Sequence, residues 1–227
     1  MNEPFDDLNP LEPAEHAAQL AAVLERSVGV SSAVDLGTGN GRVAIPLSLH
    51  TGSSVLAVDR DPSVFAHAGW VEAAAVEHLE EDFLGTDSNW YRRGPFELAL
   101  CLGNTLSLLL EHQQLDMLFG RLDEALLPGG SFLVDDFPVW GWEAVQAGDW
   151  PSGVNEDGSA QILWVPGEPI FAFRTGAEVA PDSDQLHPEE RLLRLWSLSE
   201  LRFLAERRGL RGPFHHSEGH LLEFRRP

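Results

Sequence analysis

Residues 33–45 read AVDLGTGNGRVAI: an apolar run closed by Asp35 and Leu36, then glycine at 37, 39 and 41. Glycine costs stability when ordered, because its unfolded backbone has the most freedom to lose. Three of them where a short apolar strand gives way to a helical pattern predict a tight turn whose backbone must lie bare against something. In a doubly wound sheet ligands bind beyond the carboxyl ends of the strands, and the helix that follows the first strand offers unpaired N–H groups.

The pattern extends outward from that turn on both sides. Residues 12–29, EPAEHAAQLAAVLERSVG, carry apolar positions at helical spacing and stop at Gly29. SAVDLG (32–37) reads as a buried strand and RVAIPLSLHTG (42–52) as a helix closed by Gly52. SVLAVDRDP (54–62) is a second strand, with Pro62 opening another helix. AAAVEHLEEDF (73–83) holds a third strand and PFELALCLG (95–103) a fourth. HQQLDMLFGRLDEALLPGG (112–130) is a helix stopped by Pro128, and SFLVDDF (131–137) a further strand. Strand and helix alternate throughout, which predicts an α/β fold with a mostly parallel sheet covered on both faces.

After Phe137 the texture changes. PVWGWEAVQAGDWPSGVNEDGSA (138–160) is rich in glycine, tryptophan and acids and reads as a long loop or lid. AQILWVPGEPIFAFRTG (160–176) reads as a β-hairpin around a Pro-Gly turn. The chain then closes as strand, helix, strand, strand. One domain spanning 1–227 is expected, with an inserted lid and hairpin over 138–190.

Composition narrows the function. The chain has 227 residues and a net charge of −21, and contains no lysine. Such a surface repels phosphate backbones, so nucleic acid is not expected as partner. From Arg191 onward eight arginines face four acids, a local reversal that reads as a solvated helix face over ELRFLAERRGL (200–210). No apolar run approaches the roughly 20 residues that span a membrane, and MNEPFDDLNP lacks the build of a secretory signal. A single cysteine, Cys101, allows no internal disulfide. A soluble, cytoplasmic protein is expected.

Two details sharpen the glycine turn. The dinucleotide fingerprint G-x-G-x-x-G is broken, because Arg42 stands where its third glycine belongs. Asp59, about 20 residues past the turn, ends the next strand, where a carboxylate can accept both hydroxyls of a ribose. With VDLGTGNGR, VLAVDRDP, EDF, LALCLGNT and LLPGGSFLVDDF in this order, the chain resembles the class I S-adenosylmethionine-dependent methyltransferases. The likeness runs over about residues 15–137, and WSLSELRFLAERRGL and GHLLEF fit that family's last helix and final hairpin. It implies a Rossmann-like, doubly wound, mostly parallel seven-stranded sheet whose last strand is antiparallel.

The resemblance also implies roles. Gly37, Thr38 and Gly39 would pass under the methionyl portion of S-adenosylmethionine, with Asp35 near its amino group. Asp59 would hold the ribose and Arg60 would lie beside the adenine. Asp82 would accept from the adenine amino group, next to the Phe83 backbone, and Leu102 and Gly103 would run past the methionyl ammonium. The product would be S-adenosylhomocysteine. Because a sulfonium methyl is already activated, such an enzyme mainly aligns a nucleophile, and no single catalytic residue is demanded.

The acceptor is expected to be a small molecule with an amine, a hydroxyl or a similar nucleophile. Base-modifying relatives carry N-P-P-[YF] after the fourth strand, where this chain has GNTL. Asn104 and Asp136, at the ends of strands four and five, are candidates to rim the acceptor site, while Asp135 can point the other way. Trp140 and Trp142 are candidate substrate contacts, with Trp150, Trp164, Phe171 and Phe173 as further aromatics of the insertion. His215, His216 and His220 invite a zinc reading, but strand spacing sends the first two to opposite faces and no cysteine is near, so no metal is expected. Two other readings stay open: a module that binds the cofactor or a partner without turnover, and a nucleotide-dependent oxidoreductase.

Overall fold

The computed structural model describes residues 13–148, 153–155, 157–183 and 185–227. The described residues open with α1 (Pro13–Arg26), whose proline at the start, Glu15 in the first turn and Arg26 in the last match the preferences of helix ends. Gln19 and Val23, one turn apart, form its buried side. There follow β1 (Ser32–Leu36), α2 (Ala44–Thr51), β2 (Ser54–Asp59), β3 (Val76–Glu80), β4 (Phe96–Cys101), α3 (His112–Ala125) and β5 (Leu126–Asp135). Next come α4 (Phe137–Ala147), β6 (Ala160–Trp164), β7 (Ile170–Thr175), β8 (Leu192–Arg194), α5 (Leu198–Arg207), β9 (Arg211–His216) and β10 (Leu221–Arg225).

Seven strands form the main sheet in the order β3-β2-β1-β4-β5-β10-β9. The pairings among β1 to β5 are parallel, and β10 runs antiparallel to both β5 and β9. The sheet is thus Rossmann-like, mostly parallel and seven-stranded, with the last strand in the chain reversed, although that strand sits inside the edge and β9 forms the edge. From the adjacent pair β1 and β4 the two halves wind outward in opposite directions. That point of reversal opens a crevice at the carboxyl ends of the strands.

Burial on both faces accounts for the nearly continuous apolar strands. Val34, Leu36, Val58 and Ala99 pack on one face with Phe119 of α3, Leu201 of α5, Phe132 and Phe224. Ala33, Val55, Leu98 and Leu133 pack on the other with Val23 of α1 and Leu47 of α2. The second sheet is small and antiparallel, in the order β6-β7-β8. Its apolar face (Phe171, Leu193), with Leu195 just after β8, packs with Phe137 and Trp142 of α4.

Three local readings are corrected. Residues 137–147 are the helix α4, not loop: Pro138 starts it, Gly148 caps it in the left-handed conformation, and the small sheet supplies the apolar partner its composition does not advertise. Gly141 suits this helix because a Cβ there would come within 2.8 Å of Leu195 Cδ1. Pro62 opens only short 3-10 turns, at Pro62–Ala66 and Ala68–Glu72. Helix α3 stops at Ala125, three residues before Pro128, since the chain ahead of a proline favours extended backbone. Among the described residues no helix is long and apolar enough to cross a membrane.

Candidate active site

The turn after β1 is tied to β2 through backbone. Gly37 N and Thr38 N donate to Val58 O at 2.8 and 3.1 Å. Gly39 N then donates to Asp59 Oδ2 at 2.9 Å, and Asp61 N to Oδ1 at 3.0 Å. The Asp59 carboxylate therefore lies over the turn at the tip of β2. The three glycines have different reasons to be there. A Cβ on Gly37 would lie 2.6 Å from Thr105 Cγ2, and one on Gly41 2.6 Å from the Trp70 ring. Gly39, at φ +54°, would aim its Cβ into open space. Among the described residues nothing at that position demands glycine except backbone angle, and none of them lies within 4 Å of where its Cβ would point.

A buried polar cluster backs the turn. Thr38 Oγ1 donates to Asp35 Oδ2 at 2.8 Å. Asp135, at the end of β5, accepts from Asn104 N at 2.8 Å, from Gln19 Nε2 at 3.0 Å and from Gly103 N at 3.2 Å. Arg42 Nη2 donates to Gln19 Oε1 at 2.9 Å. Burial pushes the Asp35 carboxyl up to about 6; the Thr38 hydrogen bond and Arg42 work against this, while Asp59 and Asp135 add to it. Burial also raises Asp135, with its hydrogen bonds and Arg42 opposing. Arg42 itself is lowered by burial, against the pull of both acids.

Above the cluster lies a cleft of about 250 Å³. Its lining brings together Asp35, Gly37, Thr38, Gly39, Asp59, Arg60, Asp82, Phe83, Leu102 and Gly103, all ten residues picked from the motifs. Arg42, which breaks the dinucleotide fingerprint, also lines it. Sequence reasoning missed Leu108, Leu109, Gln114 and Arg191, which line the same cleft. They carry no motif, and only the fold brings Arg191 there, from the residue just before β8 of the small sheet. Asp135 was readable as an acid at a strand end, but its role in holding the Gly103–Asn104 backbone was not.

A second cavity, of about 130 Å³, lies between α4 and the small sheet. Asn104 and Trp140 line it, as do Trp164, Phe171 and Phe173. Trp142 turns elsewhere: its Nε1 donates to Trp196 O at 3.0 Å and its ring packs with Phe171 and Leu193. Asp136 lines neither cavity. Its Oδ2 lies 3.0 Å from His215 Nε2, and Oδ1, which has no hydrogen-bond partner among the described residues, lies 3.8 Å from His220 Nδ1. His216 instead meets Glu223 Oε2 at 2.9 Å. Trp150 lies outside the described residues.

No family model and no curated protein sequence matches the chain. Solved structures do. The methyltransferase CcbJ from Streptomyces caelestis matches with a TM-score of 0.61 at 17% identity, over 97% of this chain and 92% of that one. The PH0226 protein from Pyrococcus horikoshii gives 0.67 at 15% identity, over 97% and 94%. CalS10 from Micromonospora echinaspora, an amino pentose methyltransferase solved with S-adenosylmethionine bound, gives 0.60 at 14% identity, over 94% and 92%. This chain has the fold of the S-adenosylmethionine-dependent methyltransferases.

Proposed function

We propose that this protein is an S-adenosylmethionine-dependent methyltransferase that acts on a small-molecule acceptor by in-line displacement. The observation that carries the reading is the convergence of the ten motif residues on one cleft at the β1/β4 reversal, with free space over Gly39 and a carboxylate at the tip of β2. CalS10 and KedS8, by their descriptions an amino pentose methyltransferase and a sugar N-methyltransferase, support a small-molecule acceptor, as does a Burkholderia thailandensis enzyme solved with 1,6-didemethyltoxoflavin and S-adenosylhomocysteine.

The residues present suit the cofactor. Asp59 offers two oxygens to a ribose, Asp82 an acceptor for an adenine amino group, and Arg60, Phe83 and Leu102 the flanks of the ring and chain. Asp35 and the Gly103 carbonyl suit an ammonium. When bound, the cofactor supplies an activated methyl group on a sulfonium. The protein's own part is alignment. Asp135 fixes the Gly103–Asn104 backbone through two N–H bonds, and so sets the wall past which the acceptor approaches.

Calorimetry with S-adenosylmethionine, S-adenosylhomocysteine and NAD tests the reading. Binding of the first two and not the third is expected; the reverse pattern refutes it. Asp59→Ala removes charge-assisted hydrogen bonds and is expected to weaken S-adenosylhomocysteine about 10- to 100-fold. Unchanged affinity would remove the ribose role.

A further inference from the structure

We propose that the acceptor carries a single uncharged apolar ring, about the size of phenyl, which seats between α4 and the small sheet with its nucleophile toward Asn104. This rests on the methyl-transfer reading for the identity of the ring as acceptor, but not for the existence of the ring site.

Four observations carry it. The two cavities share a wall: Gly103 and Leu108 line the cofactor cleft, while their neighbours Asn104 and Ser107 line the second cavity. A group held at the Asn104 end therefore sits next to the backbone that borders the cleft. Among the described residues the lining is otherwise apolar, built from Phe137, Trp140, Ile162, Trp164, Phe171 and their aliphatic neighbours, with no charged side chain. A cation entering it would lose its hydration without gaining a counter-ion, and a polyol would leave its hydroxyls without partners.

Size is the third. The volume of about 130 Å³ is close to the ~150 Å³ apolar cavity that takes up benzene. One six-membered ring fits within that volume, and a larger ring system would extend past the mouth. The fourth is the rim. Val145 and Trp164, both lining residues, are 43% and 36% exposed, so apolar surface is presented to water at the mouth. A ring seated there removes that apolar surface from water, which favours binding.

The test titrates phenol, and glucosamine as the polar control, into the full chain by calorimetry, with S-adenosylhomocysteine titrated separately. Saturable phenol binding at or below about 1 mM is expected, and none for glucosamine. Ala144→Phe, which fills the cavity from α4, is expected to weaken phenol at least about tenfold and to leave S-adenosylhomocysteine unchanged; Ala144→Met repeats the test with a smaller graft should the first variant fold poorly. Absent phenol binding, phenol binding indifferent to both grafts, or glucosamine binding as tightly as phenol would overturn the ring proposal. If phenol binds in the cavity while S-adenosylhomocysteine does not bind at all, the ring site stands and the methyl-transfer reading falls.

Discussion

At Asp35 one carboxyl answers to two demands. Burial holds it near pH 6 as an acid, and a cationic ammonium beside it would favour its ionised form. Affinity for S-adenosylhomocysteine is therefore expected to fall as pH drops through about 6, because the proton must leave before the ammonium can pair. Titrations between pH 5 and 8 check this, and Asp35→Asn is expected to weaken binding and flatten the dependence. Gly39 makes the complementary point. Its Cβ direction is open, so Gly39→Val costs stability only through its positive φ, on the order of 1 kcal/mol. The same side chain occupies the space above the turn, and a loss of S-adenosylhomocysteine affinity of about tenfold or more is expected. Calorimetry and a melting curve on one sample separate the two effects. Both residues were visible in the sequence, since a motif places them by spacing alone. The role of Asp135 was not, because its partners come from two distant parts of the chain, Gln19 from α1 and Gly103 and Asn104 from the turn after β4.

Among the elements, β8 is the joint between the small sheet and the main domain. Arg194 at its end donates from Nη1 to Leu110 O at 2.8 Å and from Nη2 to Glu200 Oε1 at 3.0 Å, and its Cζ lies 4.3 Å from the Trp196 ring centre. Burial acts to raise the Glu200 carboxyl, but hydrogen bonds from Ser197, Arg194 and His112 bring it down to about 2. Arg194→Met removes the cation and leaves Glu200 and the Leu110 carbonyl short of a donor. A loss of about 2–4 kcal/mol is expected from urea unfolding, with faster hydrogen exchange in β8 and at the start of α5. Helices α1 and α3 were legible because each buries one face at helical spacing. Strands β1, β2 and β4 were legible because strands covered on both faces read as short apolar runs. The helix expected after Pro62 is only 3-10 turns. Helix α4 was not legible. Its glycine and tryptophans argue for loop until Phe171, Leu193 and Leu195 are placed against it.

On the scale of the whole molecule, opposed carboxyl groups set the acid side of stability. Asp35 has a folded value of about 6 against an ordinary 3.8, so the folded state holds its proton more tightly. That contribution is complete below pH 3.8 and is lost as pH rises through 6, roughly 3 kcal/mol in all. Glu200 and Glu223 are lowered to about 2 from 4.5, so they stabilise fully above pH 4.5 and lose that effect as pH falls toward 2. Both trends favour the interval between about pH 4.5 and 6. The melting temperature is expected to peak there, helped by relief of the −21 net charge at neutral pH. A melting temperature that climbs steadily from pH 5 to 8 would contradict it. The order of the main sheet was accessible only through the family resemblance, since strand neighbours are not encoded in local pattern.

Gln19 adds a matter of timing. It bonds Arg42 nearby, but also Asp135 and the His220 carbonyl, 116 and 201 residues further on. Helix α1 thus waits for the turn before β10 to be made before its buried amide is satisfied. Synthesis can lay down the glycine bend early, yet the floor beneath it closes only when α1 meets the chain ahead of β10.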